Sequence, residues 1–146
     1  MLFKGEYEHT VDDKNRAFIP KKFREGLGDS FVICKGFFDN CLYVFSDEEF
    51  EKFSEKLEDL PYTDEDAMMV QRELYANAAD VELDKQGRVV IPQKLRDYAM
   101  IEKEVSIVGV RTHIEIWNKK IWQDKIADPN KLRGAFRNLR AQGVKI

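Results

Sequence analysis

The chain has little of several residue types that define specialised protein classes. Its 146 residues include only 8 glycines and 4 prolines, which excludes collagen-like and low-complexity chains. The two cysteines, Cys34 and Cys41, make no metal-binding framework, and we expect both thiols to be reduced. No apolar run approaches the roughly 18 residues needed to cross a bilayer, and the first residues lack the apolar stretch of a signal peptide. These absences predict a cytoplasmic protein without a membrane partner.

Residues in catalytic patterns are also scarce. The histidines, His9 and His113, are isolated, and no glycine-rich phosphate loop or zinc-ligand spacing occurs. Two carboxylates recur in a motif, Asp12 and Asp84, but an arginine follows each of them four residues later. The arginine stabilises the ionised carboxylate and opposes a general-acid role. We therefore expect no enzyme activity, no catalytic residue, no cofactor, no metal ion and no small-molecule substrate.

The chain does contain ample core material and a strongly uneven charge. Hydrophobic residues make up 43% of the sequence, enough for a compact domain. The net charge of −3 combines ten acids and two lysines in residues 47–66 with eight bases and two acids in residues 119–145. This distribution fits two solvated faces of opposite sign, or a basic surface that binds an anionic partner.

An internal duplication organises the sequence. Residues 12–24 and 84–96 align at an offset of 72, and six of their thirteen positions are identical. The same offset places residues 41–45 on residues 113–117. We divide the chain into four parts: a first repeat at 1–60, a connecting helix at 61–78, a second repeat at 79–125 and a basic C-terminal tail at 126–146.

Each repeat predicts the same order of elements. A strand leads into a tight turn, where Asn15 or Gly87 occupies the position that favours a positive φ. A return strand then ends at Pro20 or Pro92, which suits the first turn of a short helix. Two more strands and a helix follow, and the predicted strands are 8–11, 17–19, 31–34 and 42–45 in the first repeat and 80–83, 89–91, 104–108 and 114–117 in the second.

Capping residues mark the longer helices. Ser46 and Asn118 are predicted N-caps of the helices that follow the last strand of each repeat. Thr63 is the predicted N-cap of the connecting helix, with Asp66 at the capping-box position. One face of that helix is predicted to be buried through Ala67, Val70, Leu74 and Ala78.

Several segments resemble the MraZ family of the AbrB/MazE swapped-hairpin superfamily, and the similarity covers residues 1–125. The segments are the two Asp-x-x-x-Arg turns with Ile-Pro at the same distance after each, together with residues 36–42, 72–75 and 115–117. One departure is Asn15, where the turn of the family usually carries glycine. Asparagine tolerates the left-handed region, so we expect the turn to form.

The resemblance implies both a fold and a function. The implied fold is α+β and β-rich: a duplicated AbrB-like swapped-hairpin barrel with pseudo-twofold symmetry and peripheral helices. The implied function is that of a sequence-specific transcriptional regulator, which binds direct repeats in double-stranded DNA upstream of the division and cell wall gene cluster. The resemblance also implies a ring-shaped homo-oligomer that works in the cytoplasm in association with the nucleoid.

Basic residues cluster at and after the two repeated turns. A guanidinium grips a phosphate or the O6/N7 edge of guanine through two hydrogen bonds, and lysine makes a less directional phosphate contact. With the resemblance, these residues form a predicted DNA-binding set: Lys14, Arg16, Arg24, Lys85, Arg88 and Arg96. Alternatively, Asp12–Arg16 and Asp84–Arg88 are ion pairs that only pin the turns. Both interpretations hold if the carboxylate orients an arginine that touches DNA.

A second functional class remains open from the sequence. Related folds serve as antitoxins that bind a toxin through an extended tail, so the chain is alternatively a protein-interaction module. The tail here, at residues 131–140, is basic and amphipathic rather than acidic. It is either a DNA-binding arm or a contact to the acidic helix of a neighbouring copy.

Overall fold

A computed structural model describes residues 2–146, which form eight strands and six helices. The first repeat comprises β1 (Glu6–Thr10), β2 (Arg16–Phe18), α1 (Lys21–Leu27), β3 (Ser30–Lys35), β4 (Leu42–Ser46) and α2 (Asp47–Glu55). The second comprises β5 (Ala79–Glu82), β6 (Arg88–Val90), α4 (Gln93–Tyr98), β7 (Glu104–Val110), β8 (His113–Asn118) and α5 (Lys119–Ile126). The connecting helix is α3 (Glu65–Asn77), and the tail forms α6 (Pro129–Ala141).

The fold is α+β, with antiparallel strands throughout its two sheets. The larger sheet has the order β1-β7-β8-β4-β3-β5, and β2 pairs with β6 in a separate two-stranded ribbon. The expectation of a β-rich chain is wrong, because the helices contain more residues than the strands. The surplus comes from α3 and α6, which have 13 residues each and lie outside the repeated strand pattern.

Strand pairing crosses between the two repeats. Strand β1 pairs with β7 of the other repeat, as at Tyr7 and Ile107, and β5 pairs with β3, as at Phe31 and Val81. These two pairings are equivalent, because each repeat gives its first strand to the third strand of the other. Strand β4 also pairs with β8, and β2 with β6. Neither repeat therefore has a complete sheet of its own.

A single main core draws on both repeats. Alternation along the strands and the spacing of the short helices turn equivalent apolar residues inward. The largest fully buried side chains include Ile19, Phe23, Phe31, Ile33 and Leu42 from the first repeat and Ile91, Leu95, Ile107, Ile114 and Ile116 from the second.

The N-terminal segment crosses β7 at Gly109 and is held there by backbone hydrogen bonds. The Gly109 N–H donates to the Gly5 carbonyl at 2.8 Å, and Phe3 and Arg111 exchange two backbone hydrogen bonds of 2.9 Å each. A Cβ on Gly109 would lie 2.3 Å from the Lys4 nitrogen, so only glycine allows this crossing. The crossing brings Phe3, which is 4% exposed, into the main core.

The helix caps are as predicted, with one exception. The side chains of Ser46 and Asn118 accept hydrogen bonds from the N–H groups of Glu49 and Ile121, which confirms both caps. The predicted Thr63 cap is wrong, since Asp64 accepts from the N–H groups of two residues that follow it. An aspartate one residue later offers the same cap with a charge that the helix dipole favours.

Helix α3 buries a narrower face than its sequence predicts. Ala67 and Leu74 are buried, and Leu74 packs with Cys34 and Phe45. Val70, predicted to be on the buried face, is 43% exposed. Helix α3 covers the sheet through one edge of its apolar stripe, which leaves the rest of the stripe at the surface. None of the helices in residues 2–146 has the length and hydrophobicity to cross a membrane.

The exchanged strands predict that the first repeat does not fold as an independent monomer. A fragment of residues 1–60 loses the partners of β1, β2 and the outer edge of β3, and it is too short to bury a sufficient core. We expect circular dichroism and size-exclusion chromatography to find it unfolded or self-associated. A monomeric fragment that unfolds cooperatively would contradict this prediction.

Candidate nucleic-acid interface

Two aspartates organise the repeated hairpin turns in the same way. One oxygen of Asp12, Oδ1, accepts hydrogen bonds from the backbone N–H groups of Lys14 at 3.0 Å and Arg16 at 2.9 Å. The other, Oδ2, accepts from Nε of Arg16 at 2.7 Å. Asp84 repeats the arrangement with the N–H groups of Gln86 and Arg88 and with Nε of Arg88. The ion pairs considered from the sequence are therefore present in both turns.

These hydrogen bonds also fix the charge of the turns. The backbone N–H of Arg16 is the main cause of a lowered pKa of Asp12, and the Arg16 side chain acts in the same direction. The pKa of Asp84 is lowered for the same reason by Arg88. Both carboxylates are ionised at neutral pH, and each holds the Nε side of its arginine.

The turn conformation is the one that the sequence predicts. Asn15 has a φ of 62° and Gly87 a φ of 78°. Each turn is pinned to the return strand of the other repeat: the Ile19 N–H donates to the Gly87 carbonyl at 3.0 Å, and the Ile91 N–H donates to the Asn15 carbonyl at 2.7 Å. The two hairpins thus hold each other in register.

The ribbon formed by β2 and β6 has one buried and one outer face. Ala17 and Val89 point into the core and are no more than 1% exposed. The alternation of the strands turns four side chains outward, with Arg16 paired to Val90 and Phe18 paired to Arg88. The outer face therefore carries two arginines on one diagonal and two apolar residues on the other.

The predicted cations differ in how free their donors are. The side chains of Arg16 and Arg88 are 31% and 23% exposed. Within residues 2–146 they form side-chain hydrogen bonds only through Nε, so their Nη groups are available. Lys14 and Lys85 are exposed at the turns and form no ion pair with the described residues. These four cations together can bind an anionic ligand.

Arg24 and Arg96 lie behind the turns rather than on the outer face. Nη1 of Arg96 donates to the Asp12 carbonyl and to Oδ1 of Asn15, both at 2.7 Å. Its other donors meet the carbonyls of Ile101 and Glu102. Arg96 was predicted to contact DNA, but its guanidinium is occupied by the turn of the opposite repeat and the loop after α4.

Arg24 has the equivalent position with fewer partners. Its Nε donates to the Ile19 carbonyl at 2.8 Å, and its guanidinium lies against Gly87 of the opposite turn. Gly87 has no side chain to accept a hydrogen bond, whereas Asn15 offers its amide oxygen to Arg96. The departure at Asn15 thus accounts for one of the hydrogen bonds that Arg96 forms and Arg24 lacks, while the others go to backbone carbonyls.

Sequence reasoning missed the apolar half of the outer face. Phe18 is 42% exposed and Val90 is 55% exposed, although both lie in short strands beside buried residues. The signal was present in the alternation, because Phe18 and Val90 are each two residues from a turn arginine.

The remaining reactive side chains are placed elsewhere. Burial raises the pKa of the Cys34 thiol to about 12 and raises that of Cys41 further. His113 contacts Glu115 at 3.0 Å among aromatic rings of the large sheet. In the part of the chain that the structure describes, no three His, Cys, Asp or Glu residues are grouped to hold a metal ion.

The contacts of Arg96 predict a structural role that Arg24 does not share. Arg96→Ala removes four hydrogen bonds from a charged donor, and we expect the free energy of unfolding in urea to fall by about 2–3 kcal/mol. Arg24→Ala is the matched control and should cost about 1 kcal/mol, since it loses one such bond. Equal losses in the two variants would contradict the assignment.

The comparisons with known proteins agree with the repeat. A family model described as "MraZ protein, putative antitoxin-like" matches twice, at residues 2–73 and 74–137. A relative named "Transcriptional regulator MraZ" from Acetivibrio thermocellus is 51% identical over 129 residues, which are 88% of this chain and 90% of that protein. A protein of the same name from Clostridium tetani is 49% identical, covering 84% and 86% of the two chains.

A third relative of that name, from Carboxydothermus hydrogenoformans, is 50% identical over 123 residues, or 84% of this chain and 85% of its own. These names are those of a regulator and not of an enzyme, in agreement with the prediction that the chain has no enzyme activity. The two matched copies, together with identities near 50% over most of both chains, show that the chain belongs to the MraZ family.

Proposed function

We propose that the protein is a sequence-specific transcriptional regulator that binds double-stranded DNA through the outer face of the β2–β6 ribbon. One observation carries the proposal: Arg16 and Arg88 lie on that face with their Nε groups held by aspartate and their Nη groups unengaged. The major groove of B-DNA admits a two-stranded ribbon, where a guanidinium binds the O6 and N7 atoms of guanine. The names of the relatives support the same function.

Each predicted DNA-binding residue has a distinct part in this proposal. Arg16 and Arg88 contact bases, and Asp12 and Asp84 orient them by fixing the Nε edge. Lys14 and Lys85, exposed at the turns, contact phosphates. Arg24 keeps Nη donors for a phosphate, whereas Arg96 positions the first turn and does not contact DNA.

The strand exchange supports a swapped-hairpin barrel with pseudo-twofold symmetry. The pairings β1–β7 and β5–β3, and the two hydrogen bonds between Ile19, Gly87, Ile91 and Asn15, are related by the repeat offset. The target that we propose is the set of direct repeats upstream of the division and cell wall gene cluster, as in the family. Its place of action is the cytoplasm, in association with the nucleoid.

We also propose that copies of the chain assemble head to tail into a ring. Helix α6 carries four bases and no acid, and its apolar stripe combines Leu132 and Leu139, which are exposed, with Phe136, which is half-buried. The partner surface that we propose for it is a groove of about 260 Å³, lined by residues that include Lys35, Phe37, Met69, Val70 and Glu73. The groove adjoins the acidic segment 47–66 through Phe37, which stacks on Phe53 of α2. Contact between unlike surfaces closes into a ring when the rotation permits.

The alternative of an antitoxin-like interaction module rests on the same exposed surfaces, since a groove and an amphipathic helix also suit a different protein. The dependence of DNA affinity on salt separates the two classes. A DNA-binding protein releases phosphate counterions, whereas an apolar protein contact depends little on salt.

We expect tight, strongly salt-dependent binding to a duplex from the upstream region of the protein's own gene. Two bound copies, each with phosphate contacts from Lys14, Lys85 and Arg24, would neutralise six phosphates and give a slope of about −5 in log K against log salt. Fluorescence anisotropy from about 50 mM to about 200 mM salt measures the slope. An affinity that does not change with salt would contradict DNA binding as the function.

We expect Arg16→Ala and Arg88→Ala each to weaken specific binding by about 1–3 kcal/mol, because each loses a bidentate base contact. Folding stability should change little, since exposed ion pairs contribute about 0–1 kcal/mol. Arg16→Lys should fail to restore the affinity, because an ammonium cannot make the bidentate contact. Lys52→Ala, which removes a cation from α2, is the control, and this variant should bind DNA with the affinity of the wild-type protein. If a variant is largely unfolded but its remaining folded fraction binds DNA normally, its arginine only stabilises the turn.

The proposed assembly predicts an effect of charge on the apolar stripe of α6. Phe136→Glu should reduce the mass measured by light scattering at micromolar concentration. Asn138→Glu is the control, because it makes the same charge change on the opposite face. The assembled protein should also bind a multi-repeat duplex far more tightly than a one-repeat duplex. A monomeric wild-type protein, or equal affinity for the two duplexes, would remove the ring from the mechanism.

A further inference from the structure

Two apolar side chains on the outer ribbon face have no role in the core. Phe18 and Val90 remain 42% and 55% exposed, whereas their strand neighbours Ala17 and Val89 are buried. The one ring near Phe18 among the described residues is the imidazole of His9, with 6.3 Å between ring centroids. Half-exposed aromatic and branched residues side by side with arginines indicate a surface that contacts a ligand with apolar groups.

The strand register places each apolar residue directly opposite an arginine. Phe18 pairs with Arg88, and Val90 pairs with Arg16. Side chains opposite each other on one face of an antiparallel pair are separated by about 5 Å at Cβ. Successive bases on a DNA strand are separated by about 3.4 Å along the axis. An apolar side chain and its paired guanidinium therefore span neighbouring base pairs when the ribbon lies in the groove.

We propose that Phe18 and Val90 form a second binding element for DNA, which contacts the C5-methyl groups of thymines beside the bases bound by Arg88 and Arg16. Thymine is the base that presents a methyl group in the major groove, so an apolar contact there distinguishes it from the other bases. The inference rests on the proposed function, because it assigns a specificity to the ribbon face on which DNA binding was proposed.

The two contacts differ in chemistry. Phe18 offers a flat ring that covers a methyl group broadly, while Val90 offers two methyl groups on a stiff, branched side chain. The thymine preference at the Phe18 position is therefore separable from that at the Val90 position. An arginine that contacts a base selects guanine, and one that contacts a phosphate selects no base. The apolar pair therefore adds a preference for thymine that the cations do not provide.

The test removes the methyl group from the DNA instead of from the protein. The probe is the duplex from the upstream region of the protein's own gene, prepared with thymidine or with deoxyuridine on one strand or both. Uracil keeps the pairing and the hydrogen-bonding groups of thymine. For the wild-type protein we expect about fourfold weaker binding for each contacted methyl group that is lost, as for the burial of one methylene.

Variants complete a double-mutant cycle. Phe18→Ala and Val90→Ala should bind the thymidine duplex more weakly and lose the distinction between thymidine and deoxyuridine at their own positions. Val90→Thr keeps the branched shape of valine, and it is the second variant to be measured if Val90→Ala fails to fold. Val110→Ala is the matched control, because it makes the same substitution at a residue that is 41% exposed in β7, away from the ribbon. It should keep the full thymidine preference.

The outcomes separate this inference from the proposed function. If the wild-type protein binds both duplexes tightly and equally, methyl recognition is wrong and DNA binding stands. If it binds neither duplex, the proposed function itself is wrong. If Phe18→Ala and Val90→Ala weaken binding to both duplexes and keep the thymidine preference, these residues act on folding or assembly, and the inference is overturned.

Discussion

The mutual pinning of the two hairpins is the constraint on which the rest of the molecule depends. The return strand of each repeat donates a hydrogen bond to the turn of the other, from Ile19 to Gly87 and from Ile91 to Asn15. The exchange of first strands extends the same dependence into the large sheet. Because the repeats complete each other, the core, the ribbon and both turns form together, and the geometry of one turn carries over to the other.

The same constraint brings charged groups together without burying them. The turns project from the core, so Asp12 and Asp84 keep solvent contact while their pKa values are lowered by hydrogen bonds. An exposed ion pair adds little to stability, but it restricts the rotation of its arginine. A guanidinium held at Nε presents its Nη groups in one direction, which reduces the entropy lost on binding.

Local chemistry made much of the fold predictable from the sequence. The left-handed turn residue Gly87 and the cap at Ser46 follow from preferences that act within a few residues. The contacts of Arg96 with the first turn were not predictable, because Asp12 and Asn15 lie about 80 residues away in sequence. In the repeat alignment Arg96 looks equivalent to Arg24, and only the strand exchange reveals that one faces asparagine and the other glycine. The exposure of Val70 was not predictable either, because it depends on how α3 packs on the sheet.

Duplication within one chain has a consequence for direction. A DNA-binding protein made of two identical chains presents the same hairpin twice, so it cannot distinguish the two orientations of a site along the DNA. Here the fused repeats have diverged on the ribbon, with Phe18 in one strand and Val90 in the other. The backbone of this face has pseudo-twofold symmetry, but its side chains do not, so the two halves of the face differ. In the proposed DNA complex this asymmetry gives each copy one direction along its site, so copies bound to a series of direct repeats share one direction along the double helix.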